Sequence, residues 1–283
     1  MKISSKILLG IAKLTPYGHW KLVSLAAKSD PALWDYSIPL TGIPEASLRA
    51  DLREPVYTQF LRHGCIPHQK AGDTLLRSLI KQGDLVFDIG ANIGYLSILF
   101  RSLVGSTGKV IAFEPSRRAY FQLERNTAFM NEIIAVNIAI SNSNKYLPFM
   151  ETSCLERSSL EVIQEAVQIV DVKAIRLDDL CIKWGIPNFI KVDVEGHEHA
   201  VFEGASDLLK KSNRPLIYFE ALNNEALQKI IQILQNLSDN SLVIYRVSNH
   251  AKLVPWHHSE GINDYLAVPF EQQHRINSSC FNS

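Results

Sequence analysis

The sequence has no excess of charge of either sign, since 29 lysines and arginines balance 29 aspartates and glutamates over 283 residues. A protein whose main partner is a nucleic acid needs a basic surface to meet the phosphates. We therefore expect no nucleic acid partner. Apolar residues make up 46% of the chain and charged residues 20%, which is typical of a globular protein with a hydrophobic core.

Cysteine is scarce as well. The four cysteines are Cys65, Cys154, Cys181 and Cys280, and no two are close enough in sequence to form a metal-ligand pair. A chain of this length can build a core without disulfide bonds. We interpret all four as free thiols of a protein in a reducing compartment.

Long apolar runs are also missing. The longest run near the start of the chain covers residues 7–12, and Lys13 follows it. Such a run is too short to span a bilayer, and no clear signal-peptide cleavage site accompanies it. The sequence therefore predicts a cytoplasmic protein without a transmembrane segment.

The N-terminal part of the chain divides into an arm and a cap. Residues 1 to about 35 show helical spacing, and we interpret them as an arm packed on the main domain; the alternative is a basic helix on a membrane surface. Residues 36–66 carry several proline and glycine turn signals, which indicate a loop-rich segment closing over a site. We place the arm and cap at 1–68, an α/β domain at 69–270 and a polar, frayed tail at 271–283. No pattern indicates the oligomeric state.

The stretch Leu-Val-Phe-Asp-Ile-Gly-Ala-Asn-Ile-Gly, residues 85–94, predicts a buried strand followed by a tight loop. Further strands are predicted at 109–113, 133–140, 169–175, 187–192, 215–219, 242–247 and 264–268. Helices are predicted at 69–81, 95–104, 116–131, 177–184, 196–211 and 225–237, and an irregular polar excursion is predicted at 141–167. This alternation predicts an α/β fold with a doubly wound, mostly parallel sheet and helices on both faces.

Acidic residues stand at the ends of several predicted strands, where an open α/β sheet binds its ligand. Asp88 precedes the first glycine of the loop and would repel an anion, and the Gly-x-Gly-x-x-Gly spacing that cradles a pyrophosphate is missing. Glu114 ends the next strand and suits the two hydroxyls of a ribose. An adenosine with a cationic tail, S-adenosylmethionine, is therefore the predicted ligand. A nicotinamide-dependent oxidoreductase and a non-catalytic binding protein are the alternatives.

Three sequence blocks resemble those of the FkbM-type methyltransferases. They are Asp-Ile-Gly-Ala-Asn-Ile-Gly at 88–94, Phe-Glu-Pro at 113–115 and Phe-Ile-Lys-Val-Asp-Val-Glu-Gly-His-Glu at 189–198. The resemblance covers roughly residues 55 to 270. It implies a Rossmann-like, seven-stranded class I methyltransferase sheet with an antiparallel last strand, and S-adenosylmethionine as the methyl donor. It also implies an O-methyltransferase acting on a hydroxyl of a sugar, glycan or secondary metabolite.

The resemblance also implies which residues bind the donor. Gly90 and Gly94 would let the backbone approach the methionine portion, Asp88 would orient the loop and the amino group, and Glu114 would hold the ribose. The segment around Asn137 and Ala139 would border the adenine. The full predicted donor site consists of Asp88, Gly90, Asn92, Gly94, Glu114, Pro115, Asn137, Ala139 and Asp193.

A hydroxyl acceptor must lose a proton, so we expect a base at the cleft. The candidates are Asp193, Glu195, His197 and Glu220, and we favour Asp193 for positioning, with the role of base left open. His197 has the alternative of a packed, structural histidine. We expect no metal ion, because His197 and His199 face different ways on a helix. The acceptor itself is not readable from its predicted contact segments, 36–66, 141–167 and 248–263.

Overall fold

Short apolar runs bounded by turns form the strands, because the side chains of a central parallel strand are buried on both faces. The computed structural model describes residues 1–15, 18–54, 56–65, 70–152, 158–161, 166–256 and 263–281. The strands are β1 Tyr36–Pro39, β2 Ser47–Ala50, β3 Leu85–Ile89, β4 Lys109–Phe113, β5 Ile133–Val136, β6 Ala139–Ser141, β7 Lys145–Thr152, β8 Ala166–Arg176, β9 Phe189–Val192, β10 Leu216–Ala221, β11 Leu242–Val247, β12 Leu253–Pro255 and β13 Asn263–Pro269.

The helices alternate with these strands through most of the chain. They are α1 Ile3–Leu14, α2 His19–Ser29, α3 Phe60–His63, α4 Lys70–Leu79, α5 Tyr95–Val104, α6 Arg117–Thr127, α7 Leu177–Trp184, α8 Glu198–Glu203, α9 Ser206–Leu209 and α10 Asn224–Leu237. Ser116 caps α6, as its position before the apolar-periodic stretch predicts, by accepting a hydrogen bond from the N–H of Ala119.

The central sheet has eight strands in the order β12-β11-β13-β10-β9-β3-β4-β5. The strands from β10 to β5 pair in parallel, while β13 is antiparallel to both of its neighbours. The predicted doubly wound, mostly parallel sheet is thus confirmed, and the short edge strand β12 is added to the seven expected. The chain leaves β3 towards β5 and returns to β9 beside β3, so the ligand-binding switch point lies between β3 and β9.

Alternating side chains of each strand enter two cores on opposite faces of the sheet. Val86 faces one core, which also holds α4, α5 and α6, and Phe87 faces the other, which holds α7, α8 and α10. The arm helices α1 and α2 join the first core through Leu9 and Val23, which supports the interpretation of a packed arm. No helix within the described ranges is both long and apolar enough to cross a membrane.

Two predictions for residues 133–167 are wrong. The strand predicted at 133–140 divides at Asn137 into β5 and β6, because β5 pairs with β4 whereas β6 pairs with β8 in a separate three-stranded sheet. The excursion predicted to be irregular contains β7, which pairs with β8 along its length. Only the second half of β7 is buried, and the first half carries Lys145 and Pro148, which resemble a loop in sequence. We call β6, β7 and β8 the side sheet.

Other predicted elements are shorter or better ordered than expected. The helix predicted at 196–211 divides into α8 and α9 near Gly204, where a Cβ atom would lie 2.1 Å from the carbonyl oxygen of Ser141. The segment predicted to be loop-rich contains the β1–β2 hairpin and α3. The tail predicted to be frayed forms 3-10 turns; Arg275 pairs there with Asp84, and Cys280 is buried. Among the described cysteines none forms a disulfide, and Cys154 lies outside the described residues.

Candidate active site

The loop between β3 and α5 depends on two glycines with positive φ angles. The φ angle is +77° at Gly90 and +95° at Gly94. A Cβ atom at Gly90 would lie 1.8 Å from the carbonyl oxygen of Asp193, so the loop passes directly over the end of β9. Asn92, between the glycines, also takes the left-handed conformation, with φ at +50°. The loop is therefore a tight turn that brings the ends of β3 and β9 together.

The backbone N–H groups of this loop all donate within the protein. The amides of Gly90 and Ala91 both donate to the carbonyl of Phe113, and that of Gly94 donates to Ala91. The amide of Asn92 donates to Glu114 Oε2 at 2.8 Å. The amide of Ile93 donates to the Asn92 side chain. The loop therefore offers no amide to a phosphate, in contrast to a dinucleotide-binding loop.

A buried ammonium group lies beneath the loop. Lys191 Nζ donates to the carbonyl of Gly90 at 2.8 Å and lies 3.5 Å from Asp88 Oδ1 and 3.4 Å from Asp193 Oδ2. Asp88 is fully buried and also accepts a hydrogen bond from Ser97 at 2.5 Å. Burial alone would lower the pKa of Lys191, but the charges of Asp193 and Asp88 outweigh it and raise the pKa. Lys191 is therefore charged and links both acids to the loop.

Glu114, at the end of β4, lies between the loop and the start of α6. Its Oε2 accepts from the amide of Asn92 and its Oε1 from the amide of Ser116, each at 2.8 Å. Burial raises the pKa of Glu114 to about 7, although these two amides favour the charged form. Each carboxylate oxygen has two lone pairs, so each retains one acceptor position for a ligand hydroxyl.

A cleft that encloses about 1030 Å³, part of it open to solvent, runs over these strand ends. Eight of the predicted site residues line it: Gly90, Asn92, Glu114, Pro115, Ala139, Asp193, Glu195 and His197. Four do not: Asp88, Gly94, Asn137 and Glu220. Asp88 lies under the loop, and Asn137 donates to the carbonyls of Glu114 and Pro115 at 2.8 and 3.0 Å. These two residues therefore act on the cleft through its backbone.

Three carboxylates meet at the ends of β9 and β10. Carboxylate oxygens of Asp193, Glu195 and Glu220 lie within 4.8 Å of one another. Glu195 takes a left-handed backbone conformation with φ at +55°, unusual for a residue with a side chain. Burial raises the pKa of Glu220 to about 9, and the charges of Asp193 and Glu195 add to the rise. Glu220 thus carries a proton at neutral pH. Carboxylates at this spacing could hold a cation, so the expected absence of a metal stays a prediction.

The loop that carries Asp193 and Glu195 is held by Glu198, the first residue of α8. Glu198 Oε1 accepts from the amides of Val194 and Gly196, at 3.1 and 3.2 Å, and its side chain is buried. These two amides flank Glu195, so Glu198 braces its unusual backbone conformation. The sequence places Glu198 in the first turn of a helix, which is where the structure has it.

His197 is engaged on both ring nitrogens. Nδ1 lies 2.8 Å from Glu161 Oε1 and Nε2 lies 2.9 Å from Ser141 Oγ. Burial lowers the pKa of His197, and the hydrogen bond with Glu161 only partly offsets that effect. A carboxylate only accepts, so Nδ1 carries the proton of the neutral ring and Nε2 accepts from the Ser141 hydroxyl. This geometry favours the packed, structural histidine over a proton acceptor.

The cap segment reaches the loop from the other side. The Tyr57 hydroxyl donates to Asn92 Oδ1 at 2.7 Å, and Tyr57 and Phe60 both line the cleft. Asn126 of α6 donates to the carbonyls of Arg49 and Ile93, at 3.0 and 2.8 Å. The β1–β2 hairpin and the loop are therefore joined through one side chain.

Sequence reasoning missed several of these residues, and Lys191 is the most important. Its signal was present: a lysine interrupts an apolar strand and stands two residues before Asp193, hence on the same face. The strand register then places it beside Asp88. Tyr57, Ser141 and Glu161 carry no such signal, because their contacts with the site join segments that are distant in sequence.

A protein family and several known proteins match this chain. The family description "Methyltransferase FkbM domain" matches residues 88–240. The hexuronic acid methyltransferase AglP of Haloferax volcanii is 27% identical over 150 residues, which are 52% of this chain and 60% of that protein. The match thus spans less than two thirds of that relative.

Solved structures show weaker likeness. Fibrillarin of Aeropyrum pernix with bound S-adenosyl-L-methionine has a TM-score of 0.43 at 14% identity, over 70% of this chain and 74% of that one. An O-methyltransferase of Bacillus cereus with bound SAH has a TM-score of 0.42 at 16% identity, over 72% and 81%. The fold assignment rests on strand order and not on these scores.

Proposed function

The chain belongs to the FkbM methyltransferase family, and on that premise we propose that it transfers a methyl group from S-adenosylmethionine to a hydroxyl oxygen. The acceptor class we propose is a sugar, a glycan or a secondary metabolite. A relative that is named a hexuronic acid methyltransferase supports the sugar. We assign the reaction to residues 69–270 and the arm and cap to residues 1–68. We also propose a cytoplasmic location, in keeping with the absence of disulfide bonds among the described cysteines.

One observation carries the choice of donor. The amides of the loop at 90–94 are all used inside the protein, while Glu114 beside them keeps acceptor positions for two hydroxyls. This combination fits the two hydroxyls of a ribose and does not fit a pyrophosphate. The nicotinamide-dependent alternative is disfavoured for that reason. Gly90, Asn92, Glu114, Pro115 and Ala139 would hold the donor, whose sulfonium supplies the methyl group.

The acids at the ends of β9 and β10 suit the acceptor. Asp193 ends the strand beside β3 and lines the cleft, and Lys191 contacts one of its oxygens. We assign it the orientation of the hydroxyl and the uptake of its proton. Glu220 holds a proton at neutral pH and can donate a hydrogen bond nearby.

The test separates donor binding from turnover. We expect titration calorimetry to show binding of S-adenosylmethionine and none of NAD. Glu114→Ala should weaken that binding by about tenfold or more, because the ribose hydroxyls lose their acceptor, whereas Glu124→Ala on the exposed face of α6 should not. Asp193→Asn should bind the donor within a fewfold of the parent and lose roughly 10²–10⁴-fold in turnover.

Turnover is measured with labelled donor on a panel of uronic acid glycosides, neutral sugars and hydroxylated metabolites, with mass analysis of the products. Methylated sugar supports the proposal. Preferential NAD binding would establish the oxidoreductase alternative. Donor binding without transfer to any member of the panel would favour the non-catalytic alternative.

A further inference from the structure

Helix α1 has two apolar faces, and only one of them is covered. Leu9 and Ala12 are buried against the domain. On the opposite side Ile3, Ile7, Ile11 and Leu14 are exposed, with 78%, 58%, 46% and 84% of their surfaces in contact with solvent. Their spacing of four, four and three residues places them in one line along the helix. We call these four residues the outer stripe.

The outer stripe is held in a fixed position. The backbone N–H of Lys2 donates to Asp30 Oδ2 at 2.6 Å, and the indole of Trp34 donates to the carbonyl of Ala27 at 2.7 Å. These bonds tie the start of α1 and the end of α2 to the following segment. The stripe is therefore presented as a rigid surface, while the buried side of α1 belongs to the main core.

The charge of this region differs from that of the whole protein. Residues 1–29 contain five lysines and no acidic residue, although the chain has a net charge of zero. Lys6 and Lys13 are exposed and lie seven residues apart, along one flank of the outer stripe. The second helix adds two exposed apolar side chains, Trp20 and Leu25.

We propose that the outer stripe is a docking surface for a bilayer that contains anionic phospholipids. Exposed aliphatic side chains flanked by lysines are what a helix needs to lie at the boundary of headgroups and acyl chains. The helix has 12 residues, about 18 Å at 1.5 Å per residue, so it lies in the plane of the surface and does not cross it.

A second copy of the chain fits this surface less well. Two outer stripes packed face to face would bring the lysine flanks of both copies together, and like charges oppose such contact. An anionic lipid surface complements both features, because its acyl chains accept the apolar side chains of the outer stripe and its headgroups attract the lysines. The inference does not rest on the proposed function, because membrane binding requires neither methyl donor nor acceptor.

The test is flotation of the full chain with vesicles. Phosphatidylcholine vesicles are compared with vesicles that also contain about 30% phosphatidylglycerol, at about 0.1 M and about 0.5 M salt. We expect binding to the anionic vesicles at low salt. Ile7→Ser with Ile11→Ser should reduce that binding on the order of tenfold or more. Lys6→Glu with Lys13→Glu should reduce it by about fivefold per lysine or more.

The controls match these changes elsewhere on the surface. Phe129→Ser removes a side chain that is almost fully exposed, and Lys210→Glu with Lys211→Glu makes the same change of net charge. Both should bind as the parent does, and all variants should keep the parent melting temperature. Failure of the parent to bind, or equal loss in the control variants, would overturn the proposal. A lipid-independent dimer that the Ile7→Ser, Ile11→Ser variant abolishes would replace it with self-association.

Discussion

Lys191 combines burial with charge, and its contacts reach three parts of the site. It contacts Asp88 under the loop, Asp193 at the cleft and the carbonyl of Gly90 in the loop itself. A buried ammonium is tolerated only when carboxylates and acceptors surround it. Removal of the Lys191 side chain leaves the fully buried Asp88 without its cation. A substitution of Lys191 should therefore affect both the stability of the protein and donor binding.

Lys191→Met should therefore destabilise the protein by roughly 3–5 kcal/mol in urea denaturation. Burial raises the pKa of Asp88 and Lys191 opposes that rise, so the variant has a still higher pKa at Asp88. A carboxyl group whose pKa is raised by folding makes the folded protein less stable as pH increases. The loss of stability caused by Lys191→Met should therefore be larger at about pH 8 than at about pH 5.5. Lys173→Met, at an exposed position of β8, is the control. An equal effect of both variants would contradict this role.

Glu220 gives a second test at the same scale. Its pKa is raised from 4.5 to about 9, with burial as the main cause. In the unfolded chain Glu220 ionises near its usual pKa of 4.5. The parent protein therefore loses stability as pH rises from that pKa to the folded pKa of about 9, whereas Glu220→Gln has no ionisable group at this position. The melting temperature of the variant minus that of the parent should increase with pH from about 5.5 to about 8.5. The same difference for exposed Glu225→Gln should stay flat; a flat result for Glu220→Gln would contradict the assignment.

At the residue scale the sequence predicts the acids of the site better than it predicts their partners. Asp193, Glu195 and Glu114 lie on the cleft because they follow strands, and strand ends can be read from apolar runs. Whether a side chain faces the cleft or the layer beneath it depends on neighbouring strands. Asp88 and Glu220 lie off the cleft for that reason, and the two hydrogen bonds of His197 come from β6 and a distant loop residue.

At the element scale, Asn126 joins three segments. Its side-chain oxygen accepts a hydrogen bond from the backbone N–H of Arg49 in β2. Its side-chain nitrogen donates to the carbonyl of Arg49 and to the carbonyl of Ile93 in the loop. The β1–β2 hairpin is small and packs against α6, so this side chain supplies much of its polar attachment. Loss of the side chain would leave buried backbone groups unpaired.

Asn126→Ala should lower stability by about 1–3 kcal/mol, since the unpaired groups are desolvated. It should also increase hydrogen exchange in β2 and in the 90–94 loop, and weaken donor binding. Asn131→Ala, at an exposed position just past α6, serves as the matched control. Faster exchange in β2 alone, with the loop unchanged, would show that the two segments are not coupled through Asn126.

The sequence predicts elements well where local pattern and tertiary context agree. The bounds of β3, α5, β4 and α7 are as the apolar spacing indicates. The sequence pattern fails to predict the bounds of an element where contacts with residues outside that segment determine them. The segment at 133–140 is apolar except for Asn137, and Asn137 turns the chain by binding the backbone after β4. The helix after His197 is interrupted at Gly204, which meets the backbone of Ser141.

At the scale of the whole molecule, the C-terminal turns close the fold. Arg275 pairs with Asp84 and donates to the carbonyl of Leu79 at 3.1 Å, and both members of the ion pair are largely buried. The last described residues thus reach the end of α4 and the start of β3. Composition alone could not show that these turns pack on the domain, because an unpacked polar tail and a packed polar segment have similar sequences.

Arg275→Met should lower the free energy of unfolding by roughly 3 kcal/mol, because Asp84 loses a buried cation. The loss should appear in the melting temperature and in urea denaturation. Donor affinity should not change, since the Arg275–Asp84 ion pair lies away from the cleft. Arg117→Met, exposed at the start of α6, should have little effect. A parent-like Arg275→Met protein would mean that the tail contributes little to the fold.

The side sheet forms one wall of the cleft and has a small core of its own. Ala139 and Phe149 line the cleft and pack with Val172 and Ala174, apart from the two main cores. An exchange in this wall disturbs that small core and leaves the donor loop and the central sheet intact. During evolution the cleft can therefore change its shape at Phe149 of β7 without a change in the central sheet. A lineage can thus alter which molecule the cleft accommodates through exchanges in β7 and β8, while Ala139 of β6 keeps its place in the proposed donor site.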